Sequence, residues 1–265
     1  MPNSQKSRKS KHRPRLPFVI LYEDLDILVI DKPAGMLSVA TNKAEENTAY
    51  RAVNQYVKLK NKYHKIWIVH RLDRETSGVM LFAKSEKFKL ALQKRWEELA
   101  LKREYMAVVC GEVKPEFGQV KSFLNQTKSF YVYSSKKEGD GKLAITNYRV
   151  LKSNHKRSLV ELTLETGRKN QIRVHMSDIG HPIIGDDKYG VCKPNKGITK
   201  VGFAELFMPD AGNQSPAPTN SNNQKCKKKQ RLHLHASTLE IKHPFTGENM
   251  RFESPLPHEF GYSDY

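Results

Sequence analysis

The chain has 265 residues, with 38% hydrophobic residues and a formal net charge of +18 from 46 Lys and Arg against 28 Asp and Glu. That length holds one large domain or two small ones with a proper core, while the low apolar share leaves part of it unpacked. No apolar run approaches the roughly 20 residues of a bilayer span, and no apolar segment follows the basic start, which argues against membrane and classically secreted proteins.

Residues 1–15 carry six bases and no acid and read as a disordered basic arm. Short β-rich runs follow, Phe18 to Tyr22 and Ile27 to Ile30, broken by Glu23-Asp24 and closed by Lys32-Pro33-Ala34-Gly35. Residues 48–60 read as a helix and Val79 to Ala83 as a buried strand. Ser85 is placed to cap a helix to about Leu99, with Phe88, Ala91, Leu92, Trp96 and Leu99 along one face. Tyr105 to Val109 reads as a strand closed by Gly111. More strands fall around 130–133, 143–151 and 158–164, the last alternating Val160, Leu162 and Leu164 with Glu161 and Thr163. A short helix from about Gln171 to Ile179 stops at Gly180. Residues 207–230, rich in Pro, Ser and Asn and basic at their end, read as a long mobile loop inside one domain of residues 16–262. Apolar alternation resumes at Leu232. The sum is an α+β fold, rich in strands and poor in helices.

Setting aside the bases of 1–15 and 224–231 leaves the remaining body at +7. Basicity therefore belongs to the folded part as well, and it points to a polyanion: nucleic acid before an anionic membrane surface. Cys110, Cys192 and Cys226 are far apart, odd in number and without CxxC spacing. They suit a reducing cytoplasm better than a disulfide framework or a zinc site.

The chemistry concentrates in Ile68 to Ser85, where two apolar runs flank the polar loop His70 to Gly78. Asp73 lies there between Arg71 and Arg74. A carboxylate beside two guanidiniums is expected to stay ionised, which suits a nucleophile rather than a general acid. On residue types alone a plain loop ion pair competes with that reading. No glycine-rich phosphate loop is present, and His175, His181, His233 and His235 do not pair with acids at metal spacing. Neither a nucleotide cofactor nor a metal is expected.

The string HRLDRETSG resembles the signature loop of the RluA-type pseudouridine synthases. REYMAVVCGEV and ETGRKNQIRVHMSDIGHPIIGDDKYG are similar to that family's second and third motifs. FVILYEDLDILVIDKPAGMLSV and RLHLHASTLEIKHPFTGE resemble its first and last strands, so the likeness runs over about residues 17–260 apart from the 207–230 loop. It implies a mixed, largely antiparallel central sheet with flanking helices and a central RNA-binding cleft, Asp73 at its bottom. The implied activity is isomerisation of uridine to pseudouridine in structured ribosomal or transfer RNA, without cofactor or metal, by a protein whose default state is a monomer.

The resemblance also implies roles. Asp73 is the essential carboxylate, by attack on ribose C1′ or by proton abstraction from C2′; both routes stay open. Arg173 pairs with it. Tyr105 stacks under the target uracil and takes part in proton transfer at C5, and Ile172 packs on the other face. Arg71 enters the RNA stack in place of the flipped nucleotide. His70, Arg168 and Gln171 complete the substrate-binding set, with His70 hydrogen-bonded in the loop rather than catalytic. One departure is Asn170, where many members carry histidine. The competing reading is a non-catalytic RNA-binding or chaperone protein of the same fold, which would have no need of Asp73, Tyr105 and Arg173 together. A hydrolytic glycosidase normally uses two carboxylates, and no second acid accompanies Asp73 in a motif.

Overall fold

The computed structural model describes residues 16–40, 47–190 and 230–261. The expected arm at 1–15 and the loop at 207–230, except Gln230, lie outside the described residues. Eleven strands form one mixed sheet among the described residues. They are β1 (Val19–Glu23), β2 (Ile27–Lys32), β3 (Trp67–Ile68), β4 (Ser77–Ala83), β5 (Lys102–Cys110), β6 (Phe117–Gln126), β7 (Val132–Ser135), β8 (Lys142–Ser153), β9 (Arg157–Leu164), β10 (Leu234–Lys242) and β11 (Asn249–Glu253). The order along the sheet is β1-β2-β4-β10-β5-β9-β8-β6-β7, with β3 beside β4 and β11 beside β10.

Every pairing is antiparallel except β4 with β10, where Ser77 lies opposite His235 and Gly78 opposite Ala236. This parallel pair brings two strands far apart in the chain together inside the sheet. It also demands a glycine. Gly78 has φ +113°, and a Cβ there would sit 2.1 Å from the Ala236 carbonyl oxygen.

All seven residues of β4 are buried, because both of its faces are covered. Met80 and Phe82 point into a core completed by Ala49, Val53 and Val57 of helix α1 (Ala49–Lys60). Val79, Leu81 and Ala83 point into a second core with Phe88 and Leu92 of helix α2 (Glu86–Lys94). The period-2 alternation of one strand thus feeds two cores. A third lies under helix α4 (Gln171–Asp178), where Ile172 and Met176 pack on Ala107, Val109, Val160 and Leu162 of β5 and β9.

Ser85 caps α2 as its sequence position predicts, its Oγ accepting from Phe88 N at 3.1 Å. The expected single helix to Leu99 is broken at Arg95, and the short helix α3 (Trp96–Leu99) follows. The strand expected at 130–133 begins at Val132 instead, after a turn. β6 and β11 went unpredicted: both are largely exposed, and Phe117–Gln126 carries Gly, Gln, Lys and Ser where an apolar alternation would mark a strand. No helix among the described residues is long and apolar enough to cross a membrane.

Candidate active site

A cleft of about 580 Å³ opens between the loop before β4, strand β5 and the start of α4. Asp73, Tyr105, Ile172 and Arg173 all line it, as do His70, Arg71, Arg168 and Gln171. Residues separated by a hundred positions thus converge on one cavity. Asp73 is its one acidic lining residue among the described residues, against six cationic ones: Arg71, Arg74, Arg103, Arg168, Lys169 and Arg173.

The Asp73 loop is clamped by the segment that follows β2. Lys32 is fully buried, and its ammonium donates to the carbonyls of Met36 (2.7 Å), Pro33 (3.0 Å) and Arg74 (3.2 Å). Burial pushes its pKa down to about 8, against the attraction of Asp73, Glu75 and Asp31. Ser38 holds the other side of the loop: its hydroxyl donates to Leu72 O at 2.6 Å and accepts from Leu72 N at 3.1 Å. Gly35 N also donates to Arg74 O at 2.9 Å. The Lys-Pro-Ala-Gly close of β2, read in the sequence only as a strand end, is thus the floor of the Asp73 loop. A lysine ending an apolar strand was the signal available.

His70 is structural in this arrangement. Its Nε2 accepts from Leu81 N at 3.0 Å, its ring stacks on Trp96 at 5.3 Å, and burial drives its pKa down to about 4. The ring is therefore neutral, as a backbone acceptor must be.

Burial raises the pKa of Asp73, opposed by Arg173 first and then by Lys169, Arg71 and Lys32. The net direction is upward, so burial outweighs the flanking guanidiniums. The reason is geometric. Arg71 and Arg74 point to solvent, where screening weakens them. Arg173 is engaged elsewhere: its Nε and Nη2 each donate at 2.7 Å to the two carboxylate oxygens of Asp186. It acts on Asp73 through space, without the direct ion pair the sequence suggested.

Asp186 is fully buried at its side chain and also accepts from Lys188 N and Tyr189 N, both at 2.9 Å. Its pKa is lowered by the Arg173 hydrogen bond and charge and by these amides, which outweigh desolvation. Asp186 is the functional neighbour that sequence reasoning missed. It lies in the Gly-Asp-Asp turn after α4, where nothing in the local pattern marks it as Arg173's partner.

Tyr105 has a pKa raised to about 12, by burial first, so it stays a neutral phenol at physiological pH. Ile172 is 4% exposed and packs with Tyr105 around the core beneath the cleft. Gln171 has its amide fully used inside the protein: Oε1 accepts from Thr166 Oγ1 (2.9 Å) and Arg168 N (3.0 Å), while Nε2 donates to Ile145 O (3.0 Å) and Thr146 Oγ1 (2.9 Å). It shapes the entry to α4 rather than offering free groups to a ligand. Arg168 donates its Nε–H to Leu143 O at 3.0 Å. Asn170 takes a left-handed conformation at φ 55° and donates to Tyr189 OH at 3.1 Å. Asn tolerates that backbone well, which gives the departure at this position a structural role.

Residues 26–178 match the family described as RNA pseudouridylate synthase. The chain belongs to that family. The synthase is 32% identical over 240 residues to the RNA pseudouridine synthase YhcT of Bacillus subtilis (strain 168), a match covering 90% of this chain and 68% of the relative. It is 34% identical over 245 residues to the ribosomal large subunit pseudouridine synthase D of Pseudomonas aeruginosa, covering 91% of this chain and 69% of that one. A match at 32% identity to the protein of the same name from Nitrosomonas europaea takes in 63% of that relative's length. The human RNA pseudouridylate synthase domain containing 4 shares the fold, with a TM-score of 0.66 at 24% identity over 92% of this chain and 91% of that one. The synthase therefore has the α+β architecture and belongs to the isomerase class that its motifs implied.

Proposed function

We propose that this synthase isomerises specific uridines in structured RNA, ribosomal or transfer, in the cytoplasm, with Asp73 as the reacting carboxylate. The observation that carries the reading is a cleft in which Asp73 is the one carboxylate and every other charged lining residue among those described is a cation. The cations suit the phosphates of a polyanionic substrate, and a lone acid fits an isomerisation better than a two-carboxylate hydrolysis. In the reaction the N1–C1′ bond breaks, the uracil turns, and a C5–C1′ bond forms. The proton on C5 is lost and N1 gains one. Asp73 acts on the ribose in its ionised form, at C1′ or at the C2′ proton. Its elevated pKa makes it a stronger base or nucleophile than a surface carboxylate once ionised.

Tyr105 and Ile172 offer an aromatic and an aliphatic surface for the two faces of the flipped base. As a neutral phenol Tyr105 has a proton to donate and a lone pair to accept one. Arg71 is exposed at the loop tip, placed to fill the gap left in the RNA stack. Arg173 stabilises negative charge on Asp73 while Asp186 fixes its direction.

The test is Asp73→Asn on total ribosomal and transfer RNA. Expected is a folded protein with RNA affinity near wild type and no pseudouridine formed. Product from Asp73→Asn at more than a trace would overturn the assignment.

A further inference from the structure

The turn between β6 and β7 carries a feature that the isomerisation does not use. Phe130 has φ 62°, a left-handed conformation that a bulky residue rarely adopts. The turn holds it there. Phe130 N donates to Thr127 O at 3.0 Å, Thr127 N to Tyr131 O at 2.8 Å, and Tyr131 N to Thr127 Oγ1 at 3.1 Å. The Lys188 ammonium donates to Phe130 O at 2.9 Å. The strained backbone aims apolar rings outward: Phe130 is 67% exposed and Tyr131 41%.

Cations accompany these rings. Lys169 Nζ lies 5.3 Å from the Phe130 centroid. Lys188 Nζ lies 5.4 Å from the Tyr131 centroid, and Tyr131 leans on Tyr189 at 5.1 Å. Lys169 also lines the Asp73 cleft and acts on Asp73 electrostatically. The aromatic patch is therefore continuous with the cleft rim.

We propose that Phe130 and Tyr131, flanked by Lys169 and Lys188, form a stacking platform for an unpaired RNA base neighbouring the target uridine. This rests on the RNA-isomerase reading above and adds a second recognition site to it. Rings answer the π-face of a base and ammonium groups answer the adjoining phosphate, the pairing used to hold single strands. An acidic protein segment would satisfy the lysines and leave the exposed rings without a counterpart.

The test uses the full-length protein and an RNA stem-loop with 2-aminopurine beside a uridine of the loop. Wild type is expected to quench the probe on binding. Phe130→Asn, whose side chain tolerates the left-handed backbone, is expected to lose the quenching and to weaken binding roughly tenfold without lowering Tm. Phe130→Tyr, which keeps an aromatic ring, should retain both. Lys188→Gln should flatten the slope of log Kd against log salt by about one, while Phe130→Asn leaves the slope unchanged. Binding within twofold of wild type with quenching retained in Phe130→Asn would overturn the platform. So would a loss of affinity that simply follows a fall in Tm, or tight wild-type binding with no quenching at any loop position. If the wild type binds no RNA at all, the RNA-isomerase reading falls first and takes the platform with it.

Discussion

Single atoms decide much at this site. Gly78 ends the Asp73 loop where the parallel pairing of β4 and β10 begins, with no space for a side chain against the Ala236 carbonyl. Gly78→Ala must move backbone against backbone, and its left-handed φ adds strain. We expect a loss of at least about 2 kcal/mol of stability and a sharp fall in turnover. Urea titration and single-turnover assays would check both, and a variant as stable as wild type would show that β10 yields easily. Residue-level reading of the sequence located Asp73, Tyr105, Ile172 and Arg173 because their motifs are contiguous strings. It did not show that burial raises the pKa of Asp73, since burial is not written in neighbouring residues.

The elements explain why these side chains meet. α4 packs Ile172 and Met176 onto β5 and β9, which fixes the helix face that carries Arg173. The turn after the helix then supplies Asp186. Removing one partner of a buried ion pair leaves the other uncompensated, typically at a cost of about 3 kcal/mol or more. Asp186→Ala should therefore lower Tm by several degrees and misdirect Arg173, reducing turnover more than RNA affinity. An unchanged Tm would mean that Arg173 is held by other contacts. Element prediction succeeded where the signal was local: the Ser85 cap, the alternation in 158–164, and the short helix stopped by Gly180. It failed for β6 and β11, whose exposed faces dilute the alternation, and at Arg95, where a continuous apolar face hid a break in the helix.

At the scale of the whole molecule, buried histidines tie stability to pH. Burial lowers the pKa of His70 and His175 to about 4, whereas the unfolded chain titrates near 6.5. Below about 6.5 the unfolded state binds protons that the folded state refuses, so stability is full above that pH and is lost as pH falls towards 4. Asp73, raised rather than lowered, runs the opposite way and offsets part of this. We expect Tm to drop steeply between pH 6.5 and 4, and His175→Gln to flatten the drop if it folds. A Tm independent of pH over that window would contradict the burial of these rings.

The amino-acid sequence alone determined the class of the protein and singled out side chains that line one cleft. Charge, cap residues, strand alternation and the motif strings are local properties, readable without knowing what lies across the sheet. Only the tertiary structure decided that Lys32 is buried beneath the loop, that Arg173 pairs with Asp186 rather than with Asp73, and that a turn beyond the cleft presents Phe130 and Tyr131 to solvent. Each of these depends on groups far apart in the chain, brought together by sheet order and helix docking. Electrostatic balance and exposure follow from that three-dimensional environment, which no short stretch of sequence contains.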